Sequence, residues 1–236
     1  MRLTSVLIAA SFAACALSMI APAAAAQTGP PCCAGEAERR GQGDIAVELR
    51  GADGTSSRFV VLANGDAALY GPLLTIGRIR GQRFMAARHN GRWVTAPPET
   101  WFRAAEGTRF SVAAMRRRIS FMFEQPIERT GATRVVAGVA GDVYRVPSLR
   151  GGTTEAVFTR DPSLERAAEA YYDVMDLVPA TGAAAHMAAA ARNAGFPLMG
   201  ELAAATRIRH FPAGTETIRF PSSFSSLREL RRVVRE

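Results

Sequence analysis

Three observations predict an α+β domain built on a curved antiparallel sheet with helices packed on its concave face. Short β-type runs recur with Gly-containing turns between them, as at Asn64-Gly65, Asn90-Gly91 and Gly151-Gly152. They follow one another directly, which argues for hairpins in series and against βαβ units. Between Ile127 and Leu177, three such runs lead into one well-capped amphipathic helix, the clearest fold signal in the chain.

The chain has 236 residues, 48% of them hydrophobic and 21% charged, enough for one sizeable domain and too apolar for disorder over most of its length. Residues 1–26 read as a secretory signal peptide. Arg2 supplies the positive start, Leu3 to Ile20 carries no charge, and Ala21-Pro22-Ala23-Ala24-Ala25-Ala26 offers cleavage between Ala26 and Gln27. The alternative is lipidation at Cys15, because Phe12-Ala13-Ala14-Cys15 loosely resembles a lipobox. Phe in place of the usual Leu, and an apolar sequence after Cys15, favour ordinary cleavage and a periplasmic protein. Residues 27–43, rich in Gly, Pro and charge, read as a flexible linker that carries the adjacent Cys32 and Cys33. Residues 44–236 read as a single domain.

Ile45, Val47 and Leu49 alternate with polar neighbours or alanine, which is strand periodicity with one apolar face. A turn at Gly51-Ala52-Asp53-Gly54 leads to Phe59-Val60-Val61-Leu62. Asn64-Gly65 is a two-residue hairpin signal, with Ala67 to Tyr70 as the return strand. Arg83 to Arg88 and Arg92 to Thr95 flank Asn90-Gly91 in the same way. Pro97-Pro98 breaks the run before a short helix carrying Trp101, and Phe110 to Phe123 reads as a helix crossed by Arg116-Arg117-Arg118.

In the central stretch, Val135-Val136, Val143 to Val146 and Thr153 to Thr159 read as consecutive strands. Their turns are expected at Gly138-Val139-Ala140-Gly141 and Leu149-Arg150-Gly151-Gly152. Asp161 is the expected N-cap and Pro162 the first helical residue; Leu164, Ala167, Ala168, Tyr171 and Met175 keep one face apolar before Pro179 ends the helix. An alanine-rich helix from Thr181 stops at Gly195. Phe196 to Leu198, Ala203 to Phe211 and Thr215 to Phe220 read as extended. A final helix from Ser222 or Ser223 to Val234 sets Leu227, Leu230, Val233 and Val234 against Arg228, Arg231, Arg232 and Arg235.

Chemistry is sparse. His89, His186 and His210 are isolated, and no Cys/His set has zinc spacing, so no metal or cofactor is expected. All 29 basic residues are arginine, which excludes Ser-Lys dyads, Schiff bases and P-loops. Asp142, Glu155 and Asp173 read as separate solvated carboxylates. No catalytic residue can be assigned, and the chain reads as non-enzymatic. What remains is binding. Phe59, Phe84, Trp93, Trp101, Phe121, Phe123, Tyr144 and Phe158 are the large side chains able to line an apolar cavity. The formal charge of +8 falls by one when Arg2 leaves with the signal. A basic exported protein meets anionic surfaces before it meets nucleic acid, with Arg116, Arg117, Arg118, Arg228, Arg231 and Arg232 as the contact candidates.

Thr133-Arg134-Val135-Val136-Ala137-Gly138, Tyr144-Arg145-Val146, Ala156-Val157-Phe158-Thr159-Arg160-Asp161-Pro162 and Gly195-Phe196-Pro197-Leu198 occur in that order. The succession resembles the C-terminal half of a family of exported bacterial proteins of unknown function. That family is similar in layout to the periplasmic lipoprotein carriers LolA and LolB, incomplete antiparallel barrels closed by helices around an apolar cavity for acyl chains. The resemblance implies the same half-barrel here. With it goes a monomeric, non-catalytic periplasmic protein that holds a lipid or lipoprotein acyl chain. The alternative is a structural envelope protein with a filled core and a basic surface that binds partners.

Overall fold

Alternating and β-branched runs become strands wherever a turn lets the chain reverse. The structure, a computed structural model, describes residues 42–72, 74–108, 127–148, 150–176, 189–190, 192–219 and 224–235. The signal segment, Cys15, Cys32, Cys33, Arg116 to Arg118, Phe121, Phe123, the Phe110 to Phe123 helix, His186 and most of the alanine-rich helix lie outside them.

The strands are β1 (Asp44–Gly51), β2 (Ser56–Val61), β3 (Ala67–Tyr70), β4 (Leu74–Ile79), β5 (Gln82–His89), β6 (Arg92–Ala96), β7 (Glu128–Val136), β8 (Val139–Pro147), β9 (Thr153–Thr159), β10 (Phe196–Met199) and β11 (Ala203–Phe211). They form one open antiparallel sheet in the order β6-β5-β4-β3-β2-β1-β11-β10-β9-β8-β7. Two meanders, β1 to β6 and β7 to β11, are thus joined where β1 pairs β11, from Asp44 opposite Phe211 to Gly51 opposite Ala203. Among the described residues the helices with defined bounds are α1 (Pro98–Ala104), α2 (Glu165–Met175) and α3 (Leu227–Arg235), and residues 189–190 and 192–194 before Gly195 are helical as well. The architecture is α+β, as the hairpin rhythm predicts.

Residues directly opposite in a ladder share a face, so the two sides can be read across strands. One row runs Ile208, Val47, Phe59, Leu69, Ile76, Met85, Ala96 from β11 to β6. It belongs to the main apolar core, against which α2 packs. The next row runs Arg209, Ala46, Val60, Ala68, Gly77, Phe84 and faces the other way. Small residues dominate that second row, and the chain near Ile218 lies flat on it over a separate cluster of Ala68, Phe84 and Ala86. The Phe84 ring fills the space that a Cβ on Gly77 would need.

Helix α2 is fastened at both ends. The Asp161 carboxylate accepts from Ser163 N at 2.9 Å and opens a 3-10 turn, Pro162–Leu164, that leads into it. The Arg166 guanidinium donates to the carbonyls of Gly43 and Ala63, and partial burial lowers its pKa. At the far end Arg78 pairs with Asp173 at 2.7 Å, and Arg83 donates to the Asp176 carbonyl at 2.6 Å. The Tyr172 hydroxyl donates to Gly195 O at 2.9 Å.

Several expectations need correction. Asn64-Gly65 is not a two-residue hairpin: Asn64 does not take the positive φ that such a turn demands. Instead Leu62 N donates to Asp66 O across a longer loop, which is held by the Asn64 side chain accepting from Asp66 N. Gly138 to Gly141 is not the turn either. Ala137 and Gly138 turn the chain at φ 52° and 83°, and Gly141 lies within β8, pressed against Val157. Strand β4 escapes sequence reading because Pro72 stands just before it and Gly77 interrupts it, and Arg80-Gly81 forms its hairpin with β5. Within Thr215 to Phe220, residues 215–219 are not a strand. Glu216 N donates to the buried Asp44 carboxylate and Glu216 pairs with Arg58, so this segment crosses the sheet instead of extending it. The last helix begins at Leu227, because Ser226 and Glu229 cap it reciprocally.

Gly195 ends its helix at φ 100°, and a Cβ there would overlap the Thr159 carbonyl oxygen. Gly195→Ala is expected to cost about 3 kcal/mol. Urea unfolding checks this, and a loss below about 1 kcal/mol contradicts the close approach.

Candidate functional site

The helix-bearing face gathers the largest side chains. Phe59 on β2 meets Tyr171 of α2 edge-on, with ring centroids 5.4 Å apart and an interplanar angle of 87°. It stacks on Phe196 of β10 at 6.1 Å, and Tyr171 touches both Phe196 and Tyr172. The strand register delivers Phe59, the i, i+3, i+4, i+7 spacing of Leu164, Ala167, Ala168 and Tyr171 delivers the helix side, and Gly195 delivers Phe196. Burial raises the pKa of both tyrosines, so they stay neutral phenols over the working pH range. Edge-on and stacked rings of this kind contribute about 0.5–1.5 kcal/mol each beyond the area that they bury.

The sequence-selected cavity residues divide between places. Phe59, Trp101 and Phe158 lie in the main core, with Tyr144 packed against it and its ring edge-on to Phe158 at 5.4 Å. Trp101 is held by its indole N–H, which donates to Met85 O at 2.8 Å. Phe84 stands on the opposite face of the sheet. Trp93 shares that opposite face with Arg88 and is 48% exposed. Two residues that composition alone did not single out, Tyr171 and Phe196, sit at the centre. Their signals were the apolar stripe of α2 and the Gly-Phe-Pro-Leu segment.

The carboxylates do not meet. Asp142 pairs with Arg129 at 2.6 Å, Glu155 with Arg134 at 2.6 Å, and Asp173 with Arg78 and Arg192. Among the described residues no group of three or more His, Cys, Asp or Glu side chains is placed to hold a metal ion.

A second surface lies on α3. Leu230, Val233 and Val234 are buried, and the helix packs against α1. Arg228, Arg231 and Arg232 are exposed and, with Leu227, line a shallow open groove. Glu229 is occupied by Ser226, whose backbone N–H and hydroxyl hold its pKa below the usual carboxylate range.

A well-filled aromatic floor predicts that Phe59→Ala costs about 3–5 kcal/mol. Guanidinium unfolding measures it, and a cost under about 1.5 kcal/mol contradicts close packing there.

Comparison with protein-family models, with curated proteins and with solved structures found no match to this chain.

Proposed function

We propose that the protein is an exported, non-catalytic binding protein whose sheet curls into a half-barrel and holds a hydrophobic ligand on its helix-bearing side. The observation that carries this reading is the contact between Phe59 and Phe196. Strands β1 and β11 stand between β2 and β10, so a flat sheet would hold those strands about 14 Å apart at ordinary spacing. The ring centroids are 6.1 Å apart. Curling toward the helices accounts for the approach, and a twisted sheet of eleven strands is near the size at which curling becomes the rule.

An open curled sheet with an apolar inner side and helices over it is the layout expected of the exported family that the order of motifs in this sequence resembles, a family similar in layout to the LolA and LolB carriers. An acyl chain needs apolar walls and little else. Leu74, Met85 and Val94 supply one wing of the core, and Val143, Val157 and Leu198 the other. In this reading Phe59, Tyr171 and Phe196 are the floor between them.

The same ring contacts favour a second reading, in which the interior is filled and the protein acts through its basic surface. Native mass spectrometry of gently purified protein, with titration of a fluorescent fatty acid, separates the two. The ligand reading predicts a co-purifying lipid mass, or saturable one-to-one binding of the probe. The absence of both a bound mass and probe binding overturns it.

A further inference from the structure

We propose that the β6 edge of the sheet, together with α3, is a docking surface for an anionic lipid bilayer. The Ser225 segment is fastened to that edge: Ser225 N donates to Thr95 O at 2.7 Å, and Thr95 N donates to the Ser225 hydroxyl at 3.2 Å. These bonds bring two otherwise distant pieces of chain together. From β6 comes Trp93, two residues (about 7 Å) along the strand from Thr95. From the segment come Phe224 and, one turn later, the arginines of α3.

Three properties of this rim fit a membrane. Trp93 and Phe224 are 48% and 45% exposed, two of the three large apolar side chains exposed among the described residues. Indole and phenyl rings partition to the headgroup region of a bilayer. Arg228, Arg231 and Arg232 fall at i, i+3 and i+4 on the solvent side of a helix whose other side is buried in the fold. Among the described residues no ion pair is formed by these three, and the neighbouring Glu229 is committed to the helix cap. Guanidinium groups so displayed are complementary to lipid phosphates. Arg88, directly opposite Trp93 in the ladder, adds a charge beside the ring. Duplex nucleic acid would account for the arginines, yet its bases are already stacked and leave the exposed rings without a partner.

Tryptophan fluorescence gives a direct test, because the chain has two tryptophans and Trp101 is buried. The mature protein is mixed with phosphatidylcholine vesicles with or without phosphatidylglycerol, and with brominated lipid as quencher. Anionic vesicles are expected to shift the emission to the blue and to quench it, while neutral vesicles do neither. Reversing all three arginines (R228E, R231E, R232E) is expected to weaken binding on the order of 100-fold or more, at roughly fivefold for each charge removed. Trp93→Phe is expected to abolish the signal while co-sedimentation persists. Circular dichroism shows that each variant is folded, and R228Q, R231Q, R232Q replaces the reversal if it is not. Equal binding to neutral and anionic vesicles, undiminished binding by the folded arginine variant, or tighter binding to duplex DNA than to anionic vesicles overturns the proposal.

Discussion

The pairing of β1 with β11 is the constraint on which the rest of the structure depends. The first meander closes locally through short turns, and the second does so except between β9 and β10, where α2 intervenes; neither makes the eleven-stranded sheet alone. Residues from opposite ends of the domain must meet, with Asp44 beside Phe211 and Gly51 beside Ala203. Such a contact bears the full loop-closure entropy before it returns any stabilisation. The chain reinforces the seam with a buried carboxylate. Asp44 accepts from Ala63 N at 2.8 Å and from Glu216 N at 2.9 Å, tying together the β2–β3 loop, the first strand and the segment after the last. A carboxylate out of water is tolerated only with such partners. Arg166, whose charged form the nearby Asp44 carboxylate favours, extends the same knot to α2.

From that seam the two faces acquire different tasks. The row through Val47, Phe59, Ile76 and Met85 is bulky and receives α2. The row through Ala46, Ala68 and Gly77 is shallow, so a length of backbone can lie on it with Ile218 as its apolar anchor. Later in the chain Ser225 meets the far edge of the sheet at β6.

Much of the fold is legible in the sequence because its signals are local. Thr153 to Thr159 and Ala203 to Phe211 match strands residue for residue, and Asp161-Pro162 marks the helix entry. What escapes is decided at long range. Thr215 to Phe220 has the alternation of a strand, but a hydrogen bond to Asp44 and an ion pair to Arg58 draw its first residues across the sheet. Asn64-Gly65 has the composition of a tight hairpin, but Asp66 offers the loop a better set of side-chain bonds. Phe84 and Phe59 look alike in sequence, and only the register of β2 to β5 places them on opposite faces. The aromatic centre was half visible for the same reason. Tyr171 follows from helical periodicity, whereas its meeting with Phe196 requires a curl that no local pattern encodes.

That curl is the central physical claim, since both the proposed half-barrel and its proposed apolar interior rest on it. The most direct measurement is a set of nuclear Overhauser effects between selectively labelled Phe rings, with Phe59→Leu and Phe196→Leu used to assign them. Cross-peaks between the Phe59 and Phe196 rings are predicted, at a separation consistent with stacked centroids 6.1 Å apart. Their absence in the folded protein, with the β1–β11 ladder intact, would mean a flat sheet and would contradict the account.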